Sequence, residues 1–268
     1  MRVSSAGARH ARLVCAALLA WAPAAHAYEL KSTSAGARVH WAAGEVVMTP
    51  AFLAAPEGVA VDAAEGALGA AVATWQAELA ETPVALTIGA ADPVPLIHGT
   101  DGVNQVRWAF ATEDPDVEDG VLALTFIAYR TSDGELEDAD IVVNAAMFRW
   151  VTSTDGCADR YDLESALTHE LGHLLGLAHA IGQPDATMFA TGQPCETLKR
   201  DLALDDQRGI EALYAGDVPG AVPPAGGGCA SFSPGGGAGL IALGVLGVVR
   251  GRRRRPGGPA APSPWRRC

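Results

Sequence analysis

His169-Glu170-Leu171-Gly172-His173-Leu174-Leu175-Gly176-Leu177-Ala178-His179 is the stretch from which the rest of the chain can be read. Its two leading histidines are four positions apart, which on an α-helix is about one turn and puts both imidazoles on one face. Two such nitrogens fill half of a tetrahedral zinc site. Glu170 is next to the pair in sequence but points away from it, where it can serve as general base for an attacking water. His179 cannot join if the helix continues, because six further residues carry it about 9 Å along the axis and roughly 240° around it. Gly176 supplies the way out: glycine takes positive φ readily and ends helices. The expectation is therefore a helix that stops at Gly176 and a chain that swings back. His169, His173 and His179 then hold one zinc ion with one coordination position left open. His40 and His98 have no ligand spacing around them and read as solvated or core-satisfied histidines.

The surroundings of this stretch suit such a helix. Asp162 is a suitable N-cap and Glu164 falls in the first turn, where the helix dipole favours an acid. Leu163, Leu167, Leu171 and Leu174 share one side at about 100° per residue, so the histidines on the other side face a cleft. Upstream, Arg38 to Thr49 reads as strand with Pro50 as its stop. Val61 to Ala80 reads as a helix that buries Leu68, Val72, Trp75 and Leu79. Val84 to Ile88, Val103 to Phe110, Val121 to Tyr129 and Ala139 to Asn144 are strand candidates, the last two joined through the Asp133-Gly134 turn signal. Residues 180–201 are irregular, and Ala203 to Tyr214 is a final helix. Strands with a long helix laid on one face imply α/β layers.

The ends and the charge place this unit in the chain of 268 residues. Residues 1–27 have the form of a secretory signal peptide, with Arg2, Arg9 and Arg12, an apolar Leu13 to Ala22, and Ala25-His26-Ala27 before Tyr28. All 31 acidic residues lie between Glu29 and Asp217, facing only nine basic ones, so the middle carries 22 excess negative charges against 12 for the whole chain. Such a surface repels nucleic acid, and no nucleic-acid partner is expected. Residues 216–237 form a Gly/Pro-rich linker. The apolar run after it, even counted from Gly235, is about 22 Å long as a helix, short against a bilayer core of about 30 Å. In an exported chain Cys157 and Cys195 are the economical disulfide pair, with two free thiols as the alternative.

The sequence HELGHLLGLAH resembles the metzincin zinc signature. Met188, nine residues after His179, occupies the position of the metzincin Met-turn. Leu204-Asp205-Asp206-Gln207-Arg208-Gly209-Ile210-Glu211-Ala212-Leu213-Tyr214 resembles the closing helix of the matrixin branch, in which the paired acids support that turn. Gly120-Val121-Leu122-Ala123 resembles the matrixin edge strand, which implies that Leu122 and Ala123 pair with an extended substrate. The resemblance covers about residues 38–215. It implies an α+β fold with a twisted, mostly parallel sheet, two long helices including the active-site helix, a Met-turn and a C-terminal helix. No cysteine-switch segment and no second zinc site are visible. Calcium held by the acids between Asp133 and Asp140 competes with the preferred reading of a solvated acidic hairpin. The tail, Gly-Cys followed by an apolar run and an arginine cluster, resembles a myxobacterial-type sorting segment. That implies surface targeting, with Cys229 as the processing or lipid-attachment point and residues 238–268 as the sorting tail.

These features together lead to an exported, surface-attached, monomeric zinc endopeptidase, with Glu170 as the base and a protein or peptide as substrate. Two alternatives stand beside it. One is a catalytically silent metalloprotease fold used for binding or adhesion; the other is a zinc enzyme whose third ligand is a glutamate.

Overall fold

The computed structural model describes residues 28–92 and 100–214, together with the backbone of 241–251. The reading of residues 1–27, His98, Cys229 and the arginine cluster at 252–255 falls outside these. A short strand β1 (Glu29–Leu30) opens the described chain, followed by β2 (Gly44–Ala51) and helix α1 (Val61–Leu79). Then come β3 (Val84–Ile88), β4 (Asn104–Ala109), β5 (Val121–Arg130), β6 (Leu136–Asn144), and the two-residue strands β7 (Trp150–Val151) and β8 (Tyr161–Asp162). Helix α2 (Leu163–Leu174) carries the histidine pair; β9 (Leu177–Ala178), β10 (Thr191–Gly192), helix α3 (Leu204–Tyr214) and β11 (Ile241–Gly251) complete the order.

The main sheet runs β10-β11-β5-β6-β4-β2-β3. β2 pairs in parallel with β3 and β4, and β4 with β6, while β5 is antiparallel to both of its neighbours. This is the expected α+β architecture. The parallel strands need crossovers, and α1 supplies one between β2 and β3. Its predicted face is buried: Leu68, Val72, Trp75 and Leu79 are all core residues. Trp75 does more than pack, since its indole Nε1 donates to the Thr168 carbonyl of α2 at 2.7 Å and fixes the two helices together.

Three sequence expectations change. Pro50 does not stop β2, which runs on to Ala51. The Pro50 carbonyl accepts from Asp92, on the side where the β3 pairing has already ended at Met48. A residue's N–H and C=O point the same way in a strand, so the missing proline donor meets no ladder partner. Second, α2 is not half-exposed: His169, Glu170 and His173 are as fully buried as its leucines. The chain returning through Leu177, His179 and Thr187 packs on the side that the periodicity assigned to an open cleft, with Thr125 of the sheet against Glu170. Third, residues 241–251 of the apolar C-terminal run, whose length was reckoned as that of a helix, are a strand. Val245, Val248 and Val249 with Gly244 and Gly247 favour extended backbone over helix. Among the described residues no helix is long and apolar enough to cross a membrane.

Cys157 and Cys195 are joined by a disulfide, with Cα atoms 5.1 Å apart and 38 residues of separation. Closing a loop of that length contributes about 4 kcal/mol in the chain-entropy account. The loop contains all of α2 and the turn through Met188.

Candidate active site

Helix α2 begins where its cap places it. Asp162 Oδ1 accepts from the Ser165 amide at 2.8 Å, and both Asp162 oxygens also take Arg200, at 2.9 and 2.5 Å. At the other end Gly176 has φ +102° and its amide donates to the His173 carbonyl at 2.9 Å. The orphan carbonyls of the last turn are met by side chains: Trp41 Nε1 donates to Leu174 and the Tyr214 hydroxyl to Leu175, at 2.9 and 2.7 Å. A helix end so completed leaves residues 177–179 free to turn back. A Cβ on Gly176 would overlap the Val39 carbonyl oxygen. Glycine is thus needed there for conformation and for space.

The turn brings His179 to the pair. The rings of His169, His173 and His179 have centroids 4.7 to 5.3 Å apart, and one nitrogen from each lies within 4.8 Å of the others. Among the described residues this is the one group of three metal-ligating side chains. His169 Nδ1 lies 2.6 Å from the Thr187 carbonyl and His173 Nδ1 lies 2.8 Å from the Leu177 carbonyl. A carbonyl only accepts, so each Nδ1 carries the proton and each Nε2 presents a lone pair. Those two Nε2 atoms face one another at 3.1 Å. Two facing lone pairs repel, and a cation between them removes the repulsion. Zinc bonded at about 2.0–2.1 Å in tetrahedral geometry separates adjacent nitrogens by roughly 3.3 Å, close to what is found. Burial, with the neighbouring imidazoles, holds His169 well below the usual histidine range and takes His173 down to about 3. Neutral imidazoles are the form a metal requires. The donor set fits a single zinc ion.

Glu170 lies on the sheet side of α2. Its Oε2 accepts from the Thr125 hydroxyl of β5 at 2.6 Å, and its Oε1 has no hydrogen-bond partner among the described residues. Burial pushes the carboxyl up to about 8 against the opposing pull of the Thr125 bond. A divalent cation on the adjacent histidines opposes that shift. No motif marks Thr125 in the sequence, although it is the one polar residue before the tyrosine in the apolar run VLALTFIAY. Thr125→Val is expected to lower kcat by about tenfold with KM unchanged, the worth of one hydrogen bond to a charged acceptor. Steady-state kinetics on a fluorogenic peptide check this, and a change confined to KM would remove Thr125 from the site.

The turn at Met188 is held from below by α3. Asp206 accepts from the amides of Thr187, Met188 and Ala203 at 2.8, 3.0 and 2.9 Å. Of the two acids read as supports, Asp206 is the one that makes these bonds. Lys199, which no sequence pattern marks, is buried and donates to the carbonyls of Ala186, Thr187 and Phe189 at 3.2, 3.4 and 2.9 Å. The Thr187 carbonyl that orients His169 is therefore itself fixed by an ammonium group. Gly172, within the histidine pair, also has a purpose: a Cβ there would run into Met188 Sδ and Trp75. The thioether sits directly against the helix that carries the ligands.

Leu122 and Ala123 lie in β5, but β5 is flanked by β6 on one side and β11 on the other, so it is no sheet edge in this chain. A pocket beside Leu122 is lined by Tyr161, Ser165, Ala166, Gly192 and Glu196. The acids of the β5–β6 hairpin are engaged otherwise. Asp133 and Glu135 pair with Arg130, while Asp138 and Asp140 accept from the amides of Gly102 and Gln105. Among the described residues they form no metal-ligating group of three. The His40 Nδ1 lies 2.9 Å from the Arg38 carbonyl, far from any ligand role.

Comparison with known proteins matches the same part of the chain. Residues 104–215 match the family model described as Matrixin (Peptidase M10). This region is matrixin-like. The chain is 32% identical over 179 residues to Metalloendoproteinase 1 of Glycine max, covering 65% of this chain and 52% of that protein. It is 39% identical over 99 residues to Metalloendoproteinase 1-MMP of Arabidopsis thaliana, covering 36% and 25% respectively. Human Matrilysin is 39% identical over 66 residues, covering 25% of this chain and 23% of that protein. The chain thus spans about half or less of the length of these relatives. The matrixin-like region contains β4 to α3, which is to say every residue of the site described above except Trp41, Trp75 and Val39.

Proposed function

We propose that residues 28–215 form a zinc-dependent endopeptidase domain that hydrolyses peptide bonds in protein substrates. The observation that carries this reading is the convergence of His169, His173 and His179 beside a fully buried Glu170 with one unbonded carboxyl oxygen. The names of the relatives, metalloendoproteinases of plants, support it. His169, His173 and His179 hold the metal, the first two through the nitrogens that the backbone carbonyls leave deprotonated. Zinc in such a site acts as a Lewis acid toward the substrate carbonyl and lowers the pKa of a coordinated water. Glu170 takes the proton of the attacking water at Oε1, and Thr125 keeps Oε2 engaged. The same carboxyl then gives that proton to the leaving amine. Met188 supports the ligand helix from beneath. An extended substrate pairs with the backbone of Leu122 and Ala123 and places a side chain in the pocket beside Leu122.

The reading extends to the rest of the chain. Residues 1–27 direct export, and the Cys157–Cys195 disulfide suits an oxidising compartment. Residues 216–237 are a linker. Residues 238–268 are a sorting tail that attaches the protein to the cell surface, with Cys229 as the point of processing or lipid attachment. The domain acts as a monomer.

An unfolded protein substrate tests the activity. The wild-type chain and a Val245→Pro/Val248→Pro variant, in which the ladder over β5 is broken, are loaded with zinc and incubated with reduced, alkylated carrier protein. Cleavage in at least one of them, stopped by a chelator and restored by zinc, is the expected result. Intact carrier in both, with one zinc bound per chain, points instead to a silent binding module.

A further inference from the structure

The groove that flanks the active site already contains a strand. β11 lies between β5 and β10, antiparallel to the first and parallel to the second. Its register against β5 runs from Ile241 opposite Arg130 to Arg250 opposite Val121, so it covers the whole length of that strand. At its other edge Thr191 and Gly192 pair with Arg250 and Gly251. The midpoint matters most. Gly247 is the partner of Thr125, the residue whose hydroxyl holds Glu170. Val249 is the partner of Ala123, in the segment read as the substrate-pairing edge.

We infer that the chain's own C-terminal segment, Ile241–Gly251, occupies the substrate groove and keeps the full-length protein latent. Three physical points support the inference. A strand edge beside an active site exposes unpaired N–H and C=O groups, and main-chain pairing is how extended peptides bind such edges. The occupant here uses the same bonds that a substrate needs, so the two exclude one another. Second, the tether permits it. Residues 215–240 join the end of α3 to β11, and that many residues span up to about 90 Å, more than any path around a domain of this size. The sequence of the tether is rich in Gly, Pro and Ala. A linker of that length and composition keeps its end at an effective concentration approaching the millimolar range, which an untethered substrate must exceed to compete. Third, the ladder is irregular between Val245 and Gly247 and again between Val249 and Arg250. Both interruptions flank the stretch opposite Ala123 to Thr125; the first leaves out Leu246 of β11 and the second leaves out Leu122 of β5. A bulge leaves a residue out of the pairing and bends the strand. The pairing is thus irregular on either side of the segment nearest the catalytic carboxylate and leaves Leu122 without a partner in β11, the arrangement of a blocking strand and not of an aligned substrate. A cut anywhere in residues 215–240 unties the occupant, so removal of the tail in the proposed surface processing would also open the groove.

The inference rests on the peptidase reading for its rate readout only, and the experiment has a second readout that does not. Full-length wild-type chain and the full-length Val245→Pro/Val248→Pro variant are compared by fluorogenic peptide hydrolysis and by amide hydrogen exchange across β5. Proline supplies no N–H to the ladder. The expected result is slow exchange of β5 amides in the wild type, fast exchange in the variant, and hydrolysis at least about tenfold faster in the variant. Specific activity of the wild type should not vary with protein concentration, as a contact within one chain requires. Equal exchange across β5 in the two proteins overturns the inference. So do equal, measurable hydrolysis rates, or wild-type chains found cut between Val245 and Arg250 by intact-mass measurement. Different exchange with no hydrolysis by either protein upholds the occupied groove and defeats the peptidase reading.

Discussion

Glu170→Ala is expected to lower peptide hydrolysis by about 10²–10⁴-fold, the usual worth of a positioned general base, while zinc stays at one per chain. The two effects separate because the two functions use different atoms. Metal binding depends on Nε2 of His169 and His173, whose orientation comes from the carbonyls of Thr187 and Leu177. None of those bonds involves Glu170. Proton transfer depends on a carboxyl that is fully buried and held through one oxygen by Thr125. The measurement is best made in the Val245→Pro/Val248→Pro background, so that the groove is open, with metal content read by elemental analysis. Glu170→Gln sharpens the test. It keeps the shape and the capacity to bond Thr125 but cannot take a proton at neutral pH. An equal loss in the Gln and Ala variants assigns the base; substantial activity in the Gln variant would leave Glu170 a purely polar positioning role.

Gly176→Ala is expected to destabilise the domain by about 2–5 kcal/mol and to take the metal site with it. Two costs add. An alanine at positive φ costs about 1–2 kcal/mol, and forcing a methyl group into a filled space costs typically about 1–3 kcal/mol more. The space here is filled by the Val39 carbonyl oxygen and by Leu213. Relief of that overlap requires moving the turn that carries His179, so zinc affinity falls together with stability. Gly182→Ala separates the two costs. Gly182 has φ +75° with nothing within 4 Å of the place a methyl group would take, so it bears the conformational cost alone. Thermal unfolding and a competitive zinc titration on both variants measure the difference. Equal losses at the two positions would show that the contact with Val39 contributes nothing.

The legibility of the site in the sequence follows from which interactions are local. The histidine pair, the adjacent glutamate and the N-cap at Asp162 are relations within one helix, and helical geometry alone converts their spacing into positions. Gly176 is legible for a related reason, since the need for a bend follows from the rise and rotation per residue. The conformational half of its role is visible there; the crowding by Val39, some 137 residues earlier in the chain, is not. Thr125, Lys199 and Gly172 carry no sequence signal because their partners are remote. Thr125 meets Glu170 only once β5 lies under α2, and Lys199 finds its three carbonyls only once the turn through Met188 has closed. In the sequence each is one polar or small residue among many. The leucine face of α2 misleads in the same way. Periodicity assigns an apolar side, but it carries no information about what covers the other side.

By itself the sequence determined the three candidate ligands, the candidate base, the helix that presents them and the class of fold, because each is encoded in a short-range pattern with one geometric solution. Tertiary structure alone decided how those groups are tuned and reached. The protonation of the two imidazoles depends on carbonyls at Thr187 and Leu177, whose positions follow from the folded turn and from Asp206 beneath it. The ladder over β5 is a pairing between strands more than a hundred residues apart, Val121–Arg130 and Ile241–Gly251. An apolar run of valines and glycines has no partner written into it; backbone hydrogen bonds are the same for every sequence, and only the fold determines which edge is open to receive them.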